Sequence, residues 1–243
     1  MEPIKHRITH YWADRAEGFQ AQRIREFHDE KRARWQAEFD RCIPRTPPKR
    51  ILDLGTGTGF FACMLAQQGH EVIGIDLTPD MIRRARDTAA QLGLRADFQV
   101  MDAENPDFAP GSFDALVTRN LTWTLPHLET AYRSWHRLLA PGGVLINFDA
   151  DYCRAAEDEA VELPANHAHK LVDPALKREN DAITLELSAY QSPRPQWDVQ
   201  LLVEAGFERI CVDMGVYRRI YREIDEFYNP VPIFAIAAYK NSV

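Results

Sequence analysis

The sequence lacks the features that mark several common classes of protein. It has only four cysteines among 243 residues, with no C-x-x-C pair and no histidine at zinc-ligand spacing. Its longest apolar runs are far shorter than the roughly 18 residues that a membrane-spanning helix needs, and its first residues show no signal-peptide pattern. These absences argue against a disulfide scaffold, a zinc domain and a membrane protein. They favour a cytoplasmic chain with free thiols.

An excess of positive charge is also absent. The chain carries 29 Lys and Arg against 36 Asp and Glu, a formal net charge of -7. No global basic field is available to attract phosphate backbones, so we do not expect a nucleic acid partner. The composition, 45% hydrophobic and 27% charged, is that of a soluble globular protein with one large or two small domains.

The N-terminal part of the chain predicts an amphipathic helical cap. Apolar residues between Ile24 and Phe39 recur near one helical face, with charged residues between them. A proline-rich stretch at residues 44–48 then interrupts any helix. We therefore predict a helical cap or lid over residues 1–45 and a single sheet domain over residues 46–243.

Within the second domain, short apolar runs alternate with helix-period segments, which is typical of an α/β fold with a mostly parallel sheet. The predicted strands are residues 50–54, 71–76, 97–101, 113–118, 144–148, 207–216 and 231–239. The predicted helices are residues 59–68, 79–92, 127–139, 174–187 and 197–205. Residues 150–195 are polar and mixed, and they predict an insertion on the substrate side of the sheet.

The sharpest chemical signal is a strand that runs directly into a glycine-rich turn and a helix. Gly55, Gly57 and Gly59 alternate with threonines, so the backbone of the turn can approach a ligand closely. The spacing is not the dinucleotide pattern G-x-G-x-x-G, because position 60 is Phe, and no phosphate-loop lysine follows. The turn predicts a site for a flat, polar ligand, and a simple packing turn is the alternative.

Two acids follow neighbouring strands of the predicted sheet. Asp76 ends the second strand, where its carboxylate can accept both hydroxyl hydrogens of a ribose. Asp102 comes one residue past the third strand and can accept a hydrogen bond from an exocyclic amine such as adenine N6. The structural alternatives are a cap of the next helix for Asp76 and an ordinary loop start for Asp102.

Four motifs resemble, in order and spacing, those of the class I S-adenosylmethionine-dependent methyltransferases, and most of all the small-molecule, ubiquinone-biosynthesis type. They are Asp53-x-Gly55-x-Gly57-x-Gly59, Ile73–Met81 around Asp76, Met101-Asp102-Ala103, and Leu138–Leu145 around Pro141-Gly142-Gly143. The resemblance covers about residues 45 to 150. It implies a Rossmann-like, doubly wound sheet of seven strands in the order 3-2-1-4-5-7-6, with the last strand antiparallel.

The resemblance also implies S-adenosyl-L-methionine as cofactor, S-adenosyl-L-homocysteine as product and a small-molecule methyl acceptor. In it, the glycine turn faces the methionine and ribose, Met81 packs on the adenine, and the two acids meet the ribose and the adenine amine. The segment His10–Ala16 resembles an aromatic lead-in that folds over the cofactor, with Tyr11 beside the sulfonium and Arg15 on the methionine carboxylate. The residues predicted to bind the cofactor are Tyr11, Arg15, Asp53, Gly55, Thr56, Gly57, Gly59, Asp76, Leu77, Met81, Asp102, Ala103 and Asn120.

The segment after the fourth strand bears on the acceptor. Amino-group methyltransferases of nucleic acids and proteins carry Asn or Asp, two prolines and an aromatic residue here. In this sequence Asn120 and Trp123 fit the ends of that pattern, but Leu121 and Thr122 replace the prolines. The segment looks more like the Leu-Pro loop of the small-molecule branch, which argues further against nucleic acid and protein acceptors.

Methyl transfer is an in-line displacement, so the protein must place a nucleophile and take its proton. The residues predicted for this chemistry are His127, Asp149 and Tyr152. His127 has the side chain best suited to base work at neutral pH, although a helix cap is its alternative role. Asp149 and Asp151 can instead bind a cationic amine. We predict no metal, although a metal bound by these acids with His167 and His169 is the alternative.

Two other functions stay open at this stage. An NAD(P)-dependent oxidoreductase is disfavoured by the glycine spacing and by the lack of a Tyr-x-x-x-Lys pair. A non-catalytic module that binds S-adenosylmethionine is mildly disfavoured, because no glycine or acid of the turn is missing. The sequence leaves open whether the acceptor atom is O, N, S or C, and whether the protein is a monomer or a homodimer.

Overall fold

Two helices form the N-terminal part of the computed structural model, which describes residues 2–154, 162–167, 170, 172–187, 189 and 192–242. Helix α1 spans Pro3–Phe27 and α2 spans Glu30–Asp40. Asp29 separates them, because its side chain accepts a hydrogen bond from the backbone N–H of Lys31 at 2.8 Å and so begins a new helix. The predicted cap is therefore helical.

A seven-stranded sheet follows, as predicted. Its strands are β1 (Arg50–Leu54), β2 (Glu71–Asp76), β3 (Asp97–Val100), β4 (Phe113–Arg119), β5 (Leu139–Ala150), β6 (Arg209–Asp213) and β7 (Ile233–Tyr239). The helices are α3 (Phe60–Gln67), α4 (Pro79–Gln91), α5 (Leu128–Leu138), α6 (Pro174–Glu186), α7 (Gln196–Glu204) and α8 (Val216–Ile220). The strand order is 3-2-1-4-5-7-6, and β7 is antiparallel to both of its neighbours. The predicted fold class is confirmed.

Four elements differ clearly from the prediction. Strand β6 is limited to Arg209–Asp213, whereas the prediction was residues 207–216. Strand β5 begins at Leu139 rather than Val144, because Leu139 already pairs with Phe113 of β4. A shift in register follows, so that the next pair is Ala115 with Val144 and the segment with Gly142 and Gly143 lies between the two pairs. A short 3-10 turn, Thr122–Thr124, and helix α8 were not predicted. Both are shorter than the two turns that a helical period needs to show itself in a sequence.

The core has two layers, one on each face of the sheet. Helices α2, α3, α4 and α8 cover one face, and α5 and α7 cover the other. Adjacent residues of β1 show the alternation, since Ile51 packs in the first layer and Leu52 in the second. Of the helices in the described part of the chain, none has the length and apolar character to cross a membrane. All four cysteines are free, as predicted, although Cys211 is exposed.

Candidate active site

A cavity lies between α1 and the carboxyl ends of β1, β2 and β4. Most of the residues predicted to bind the cofactor line it, namely Asp53, Gly55, Thr56, Gly57, Asp76, Leu77, Met81, Asp102, Ala103 and Asn120. Ligands of open α/β sheets bind at this edge of the strands. The structure therefore brings the separate sequence motifs to one place.

The glycine turn forms the floor of the cavity. Gly55 and Gly57 both have positive φ angles, 64° and 54°, which glycine adopts without steric cost. The backbone N–H of Thr56 donates to the carbonyl of Ile75 at 2.8 Å and ties the turn to β2. Gly59 also has a positive φ angle, 86°, and a Cβ there would lie 3.2 Å from Ala85 of α4 and Phe98 of β3. Both its backbone conformation and its close packing therefore favour glycine at this position.

Asp76 joins the glycine turn to the next helix. One carboxylate oxygen accepts the backbone N–H of Gly57 at 3.0 Å, and the other accepts that of Thr78 at 2.8 Å. Each oxygen has a second lone pair for a ligand hydroxyl. Burial raises the pKa of Asp76. Asp76 thus holds the turn that precedes α4, and its carboxylate keeps lone pairs for the ligand role, which stays a prediction.

Asp53 lies beneath the turn and is almost completely buried. Its Oδ2 accepts from the hydroxyl of Thr56 at 2.6 Å and from the backbone N–H of Ala62 at 3.0 Å. Burial raises the pKa of Asp53 to about 7. A carboxyl group with this pKa responds strongly to any positive charge placed beside it.

At the other end of the cavity, Asp102 is held by a residue that sequence reasoning missed. Lys5 of α1 donates to Asp102 Oδ2 at 2.7 Å and also to Glu104. The backbone N–H of Glu104 donates to Asp102 Oδ1 at 2.9 Å, which fixes the loop after β3. The loop that carries Asp102 is thus clamped to the N-terminal helix.

Helix α1 covers the cavity, but not with the two residues that the sequence singled out. Tyr11 packs against Ile183 and Leu187 of the α6 region, and its hydroxyl accepts from Arg15 at 2.8 Å. Neither side chain lines the cavity. The residues of α1 that do so are Lys5, Ile8, Trp12, Phe19 and Arg23. They are three, four, seven and four residues apart, which places them on one face of the helix. This face contains both charged and apolar residues.

The turn after β4 forms the wall next to the glycines. Asn120 has a φ angle of 54°, uncommon for a residue with a side chain, and it lines the cavity. Its backbone N–H donates to the carbonyl of Phe148 at 2.8 Å, and its carbonyl accepts from Trp123 Nε1 at 3.2 Å. These contacts hold Asn120 in its left-handed conformation.

The three residues predicted for catalysis lie outside the cavity lining. The side chain of His127 is half-exposed at the start of α5, with Nδ1 3.1 Å from Glu104. Asp149 is fully buried and accepts hydrogen bonds from Thr122 and from the backbone N–H of Trp123. Tyr152 accepts from Asn229 Nδ2 at 2.7 Å, and burial raises the pKa of its phenol well above the usual value. Their catalytic roles stay predictions.

The alternative metal site is not assembled in the described part of the chain. Asp151 accepts the backbone N–H of Arg194, and His167 lies within hydrogen-bonding distance of the carbonyl of Tyr228. His169 lies outside the described residues. No group of three or more His, Cys, Asp or Glu side chains able to hold a metal occurs among the residues that the structure describes.

Comparison with known proteins agrees with this geometry. Residues 51–143, from β1 to β5, match the family model of the methyltransferase domain. The match covers the glycine turn, Asp76 and Asp102 within the seven-stranded sheet described above. Residues 51–143 of the chain therefore carry the pattern of a methyltransferase domain.

Two relatives of this chain are named for methyl transfer to small molecules. It is 39% identical to demethylmenaquinone methyltransferase of Thermus thermophilus over 115 residues, which are 46% of this chain and 52% of that protein. It is 27% identical to phosphoethanolamine N-methyltransferase 3 of Arabidopsis thaliana over 178 residues, 72% of this chain and 32% of that protein. The chain thus spans about half or less of the length of these curated relatives.

A solved structure shares the fold of this chain. Phosphoethanolamine N-methyltransferase 2 of Haemonchus contortus, in complex with S-adenosyl-L-methionine, superimposes with a TM-score of 0.59 at 19% identity. The match covers 85% of this chain and 52% of that one. At this identity the likeness concerns the fold of the two proteins.

Proposed function

We propose that this protein transfers a methyl group from S-adenosyl-L-methionine to a small-molecule acceptor. The observation that carries the proposal is the convergence of the glycine turn, Asp76 and Asp102 on one cavity at the carboxyl edge of the sheet. The relatives named for demethylmenaquinone and for phosphoethanolamine support a small-molecule acceptor. We leave the acceptor atom open.

The residues of the cavity fit the proposed cofactor. Asp76 has lone pairs available to accept hydrogen bonds from the ribose hydroxyls. The glycines of the turn beside it have no side chains, so the ribose and the methionine portion of the cofactor can approach the backbone closely. Leu77 and Met81 supply apolar surface for a flat base, and Asp102 supplies an acceptor for its amine. The bound cofactor supplies a methyl group already activated by a sulfonium. The chain's own residues bind, orient and exclude water around the reacting groups.

The proposal is tested by incubating the protein with S-adenosyl-L-methionine that carries a radiolabelled methyl group and a panel of small molecules. The panel contains compounds with a hydroxyl, a thiol, an amine or an acidic C–H group as acceptor. Label in a small-molecule product is the expected result. A nicotinamide chromophore carried through purification would instead favour the oxidoreductase. Binding of S-adenosyl-L-homocysteine without turnover on any acceptor of the panel would favour the non-catalytic module.

Cofactor affinity should depend on pH through Asp53. Near pH 7 its carboxyl group is partly protonated, because burial raises its pKa to about 7. A cation beside it favours the ionised form, so binding of the positively charged cofactor should release protons and strengthen from about pH 6 to about pH 8. Calorimetry in buffers of different ionisation enthalpy measures both effects. Adenosine, which carries no charge, is the control ligand, and Asp53→Asn should remove the dependence. A wild-type affinity that is constant over this range would contradict the role.

The predicted base role of His127 has a defined kinetic signature. It requires that His127→Ala lowers turnover about 100-fold or more while cofactor affinity stays unchanged. The exposed His10, on α1, provides a matched His→Ala control. A fall smaller than about tenfold would leave placement of the acceptor as the main catalytic contribution.

A further inference from the structure

Strand β6 lies at one edge of the sheet. In the described part of the chain, β7 is the one strand that pairs with it. All five residues of β6 pair with β7 without a shift in register, and each of them is exposed or half-buried. An edge strand presents unpaired backbone N–H and C=O groups to its surroundings, and a further strand can pair with them.

Strand β6 also lacks the features by which many proteins protect a sheet edge. Its sequence contains no proline, glycine or lysine, and its pairing with β7 contains no bulge. Val212 is 41% exposed, and Met214, directly after the strand, is 57% exposed. Neighbouring apolar side chains at an open edge favour contact with another polypeptide chain.

The sequence of β6 is complementary to itself in the opposite direction. When two copies of the strand lie antiparallel with Cys211 at the centre, Ile210 of each copy lies opposite Val212 of the other. In the same register, Arg209 of each copy lies opposite Asp213 of the other. Apolar pairs thus form on one face of the strand and pairs of opposite charge on the other, and both kinds stabilise neighbouring strands. A two-fold dimer requires a surface that is self-complementary in this way.

The two charged residues of β6 are positioned for these pairs. The guanidinium of Arg209 lies 3.7 Å from the centroid of the Tyr239 ring, a contact that leaves its charge available to an acid. Asp213 is held by Arg219 at 2.5 Å and by Arg41 at 3.6 Å, and about a third of its side chain stays exposed. A carboxylate has about four lone-pair sites, so Asp213 is a fixed acceptor that a further arginine can reach.

The opposite edge of the sheet, β3, does not have this symmetry. Two antiparallel copies of β3 place Asp97 opposite Val100 and Phe98 opposite Gln99, so that a charged or polar side chain meets an apolar one in every pair. Arg86 also donates to the backbone carbonyl of Phe98 at 2.6 Å. The self-complementary pattern therefore distinguishes β6 from the other edge.

From the open edge, the exposed apolar side chains and the complementary charges, we infer that β6 is the interface of a homodimer in which two sheets join edge to edge. The partner at this edge is a second copy of the chain. Strands β5 and β7 separate β6 from β4, so the interface lies away from the cavity. The dimer goes beyond the proposed function and does not depend on it, because dimerisation is measured without cofactor or acceptor.

Sedimentation velocity of the full, reduced chain tests the dimer. A short edge-to-edge contact forms a weak interface, so we expect the mass of two chains at about 100 µM protein and dissociation on dilution. Arg209→Asp places like charges opposite each other at both ends of the paired strands and should raise the dissociation constant of the dimer about tenfold or more. Arg95→Asp is the matched control, because Arg95 is exposed just before β3, at the opposite edge of the sheet.

Cys211 reports on the register of the two strands. In the proposed dimer the Cα atoms of its two copies lie opposite each other, about 4.5 to 5.5 Å apart, which is within the range that a disulfide spans. Diamide, which takes up the two thiol hydrogens as the disulfide forms, should link the wild-type chains in pairs. Cys211→Ser should abolish this link and leave the non-covalent dimer intact. Cys42→Ser should retain the link, because Cys42 is partly buried outside β6.

Three results would overturn the inference. The first is a chain that stays monomeric at the highest concentration. The second is a dimer that Arg209→Asp weakens no more than Arg95→Asp does, with circular dichroism establishing that both variants are folded. The third is a dimer that diamide does not link through Cys211, because the two chains would then meet on another surface.

Discussion

Replacing Arg194 with methionine is expected to lower the free energy of unfolding by about 3 to 5 kcal/mol, the usual cost of removing one partner of a buried ion pair. The side chain of Arg194 is fully buried, as are those of its partners Asp149 and Asp198. It donates to Asp198 Oδ2 at 2.9 Å through Nε and lies 3.4 Å from Asp149 Oδ2. Methionine fills a similar volume, so the loss reports on the two carboxylates left without their cation.

Urea denaturation followed by circular dichroism measures this loss. Arg133→Met is the matched control, because Arg133 forms an exposed pair with Glu129 on the surface of α5. Exposed pairs contribute little, so the control should change stability by less than about 1 kcal/mol. If Arg194→Met lost no more than Arg133→Met, the buried network would not have the energetic weight that its geometry implies.

The Arg194 network also connects the sheet core to the wall of the cavity. Arg194 donates to the hydroxyl of Thr122 at 2.6 Å, and Asn147 donates to the same oxygen at 3.1 Å. Thr122 begins the 3-10 turn Thr122–Thr124. Leu121, just before this turn, and Thr124, at its end, both line the cavity. Burial raises the pKa of Asp149, while the charge of Arg194 opposes that rise. Asp149 thus contacts the wall of the cavity through Thr122, from outside the cavity lining.

Asp76→Ala is expected to weaken binding of S-adenosyl-L-homocysteine by on the order of 2 kcal/mol, roughly 30-fold in the dissociation constant. The substitution removes the acceptor proposed for the ribose hydroxyls. It also frees the backbone N–H of Gly57, which Asp76 holds at 3.0 Å, so the glycine turn loses a restraint. Both effects reduce cofactor affinity.

Calorimetric titration of the Asp76→Ala protein provides this measurement. Asp80→Ala is its control, because Asp80 lies only four residues further along the chain, in the first turn of α4. Asp80 pairs with Arg83 and does not line the cavity. An Asp76→Ala protein that binds as tightly as the Asp80→Ala protein would remove Asp76 from the ribose role.

The sheet was the most predictable part of this protein, because each strand is a run of apolar residues bounded by polar or turn-forming residues. Strands β1 and β2 begin and end at the predicted residues. Their order came from the resemblance of the motifs to a known family, since apolar periodicity alone does not say which strands are neighbours. Asp76 and Asp102 could be placed at the site because both follow strands directly, where the topology fixes their position.

The N-terminal helix was harder, because its orientation depends on the surface on which it packs. Tyr11 and Trp12 are adjacent, and a helix turns by about 100° between adjacent residues, so they face different surroundings. The sequence singled out Tyr11, whereas Trp12 lines the cavity. The cavity face of α1 mixes Lys5 and Arg23 with apolar residues, and a hydrophobic pattern does not reveal such a face.

Long-range polar pairs were invisible in the sequence. Asp149 lies near the end of β5, as expected of a residue at the strand tip, but its cation, Arg194, lies near the far end of the predicted insertion, 45 residues further along the chain. Glu26 likewise meets Arg119 only through the folding of α1 over the sheet. Such pairs carry no local spacing signal, so the buried ion pair was not among the roles that the sequence suggested for Asp149.

Isothermal titration of the wild-type protein with S-adenosyl-L-homocysteine tests the central claim most directly. The account predicts saturable binding at one site per chain, with a dissociation constant well below about 1 mM, and competition by S-adenosyl-L-methionine. The cavity between α1 and the strand tips, with Asp76 and the glycine turn, provides that one site. Absence of binding at millimolar concentrations of both ligands would contradict the account.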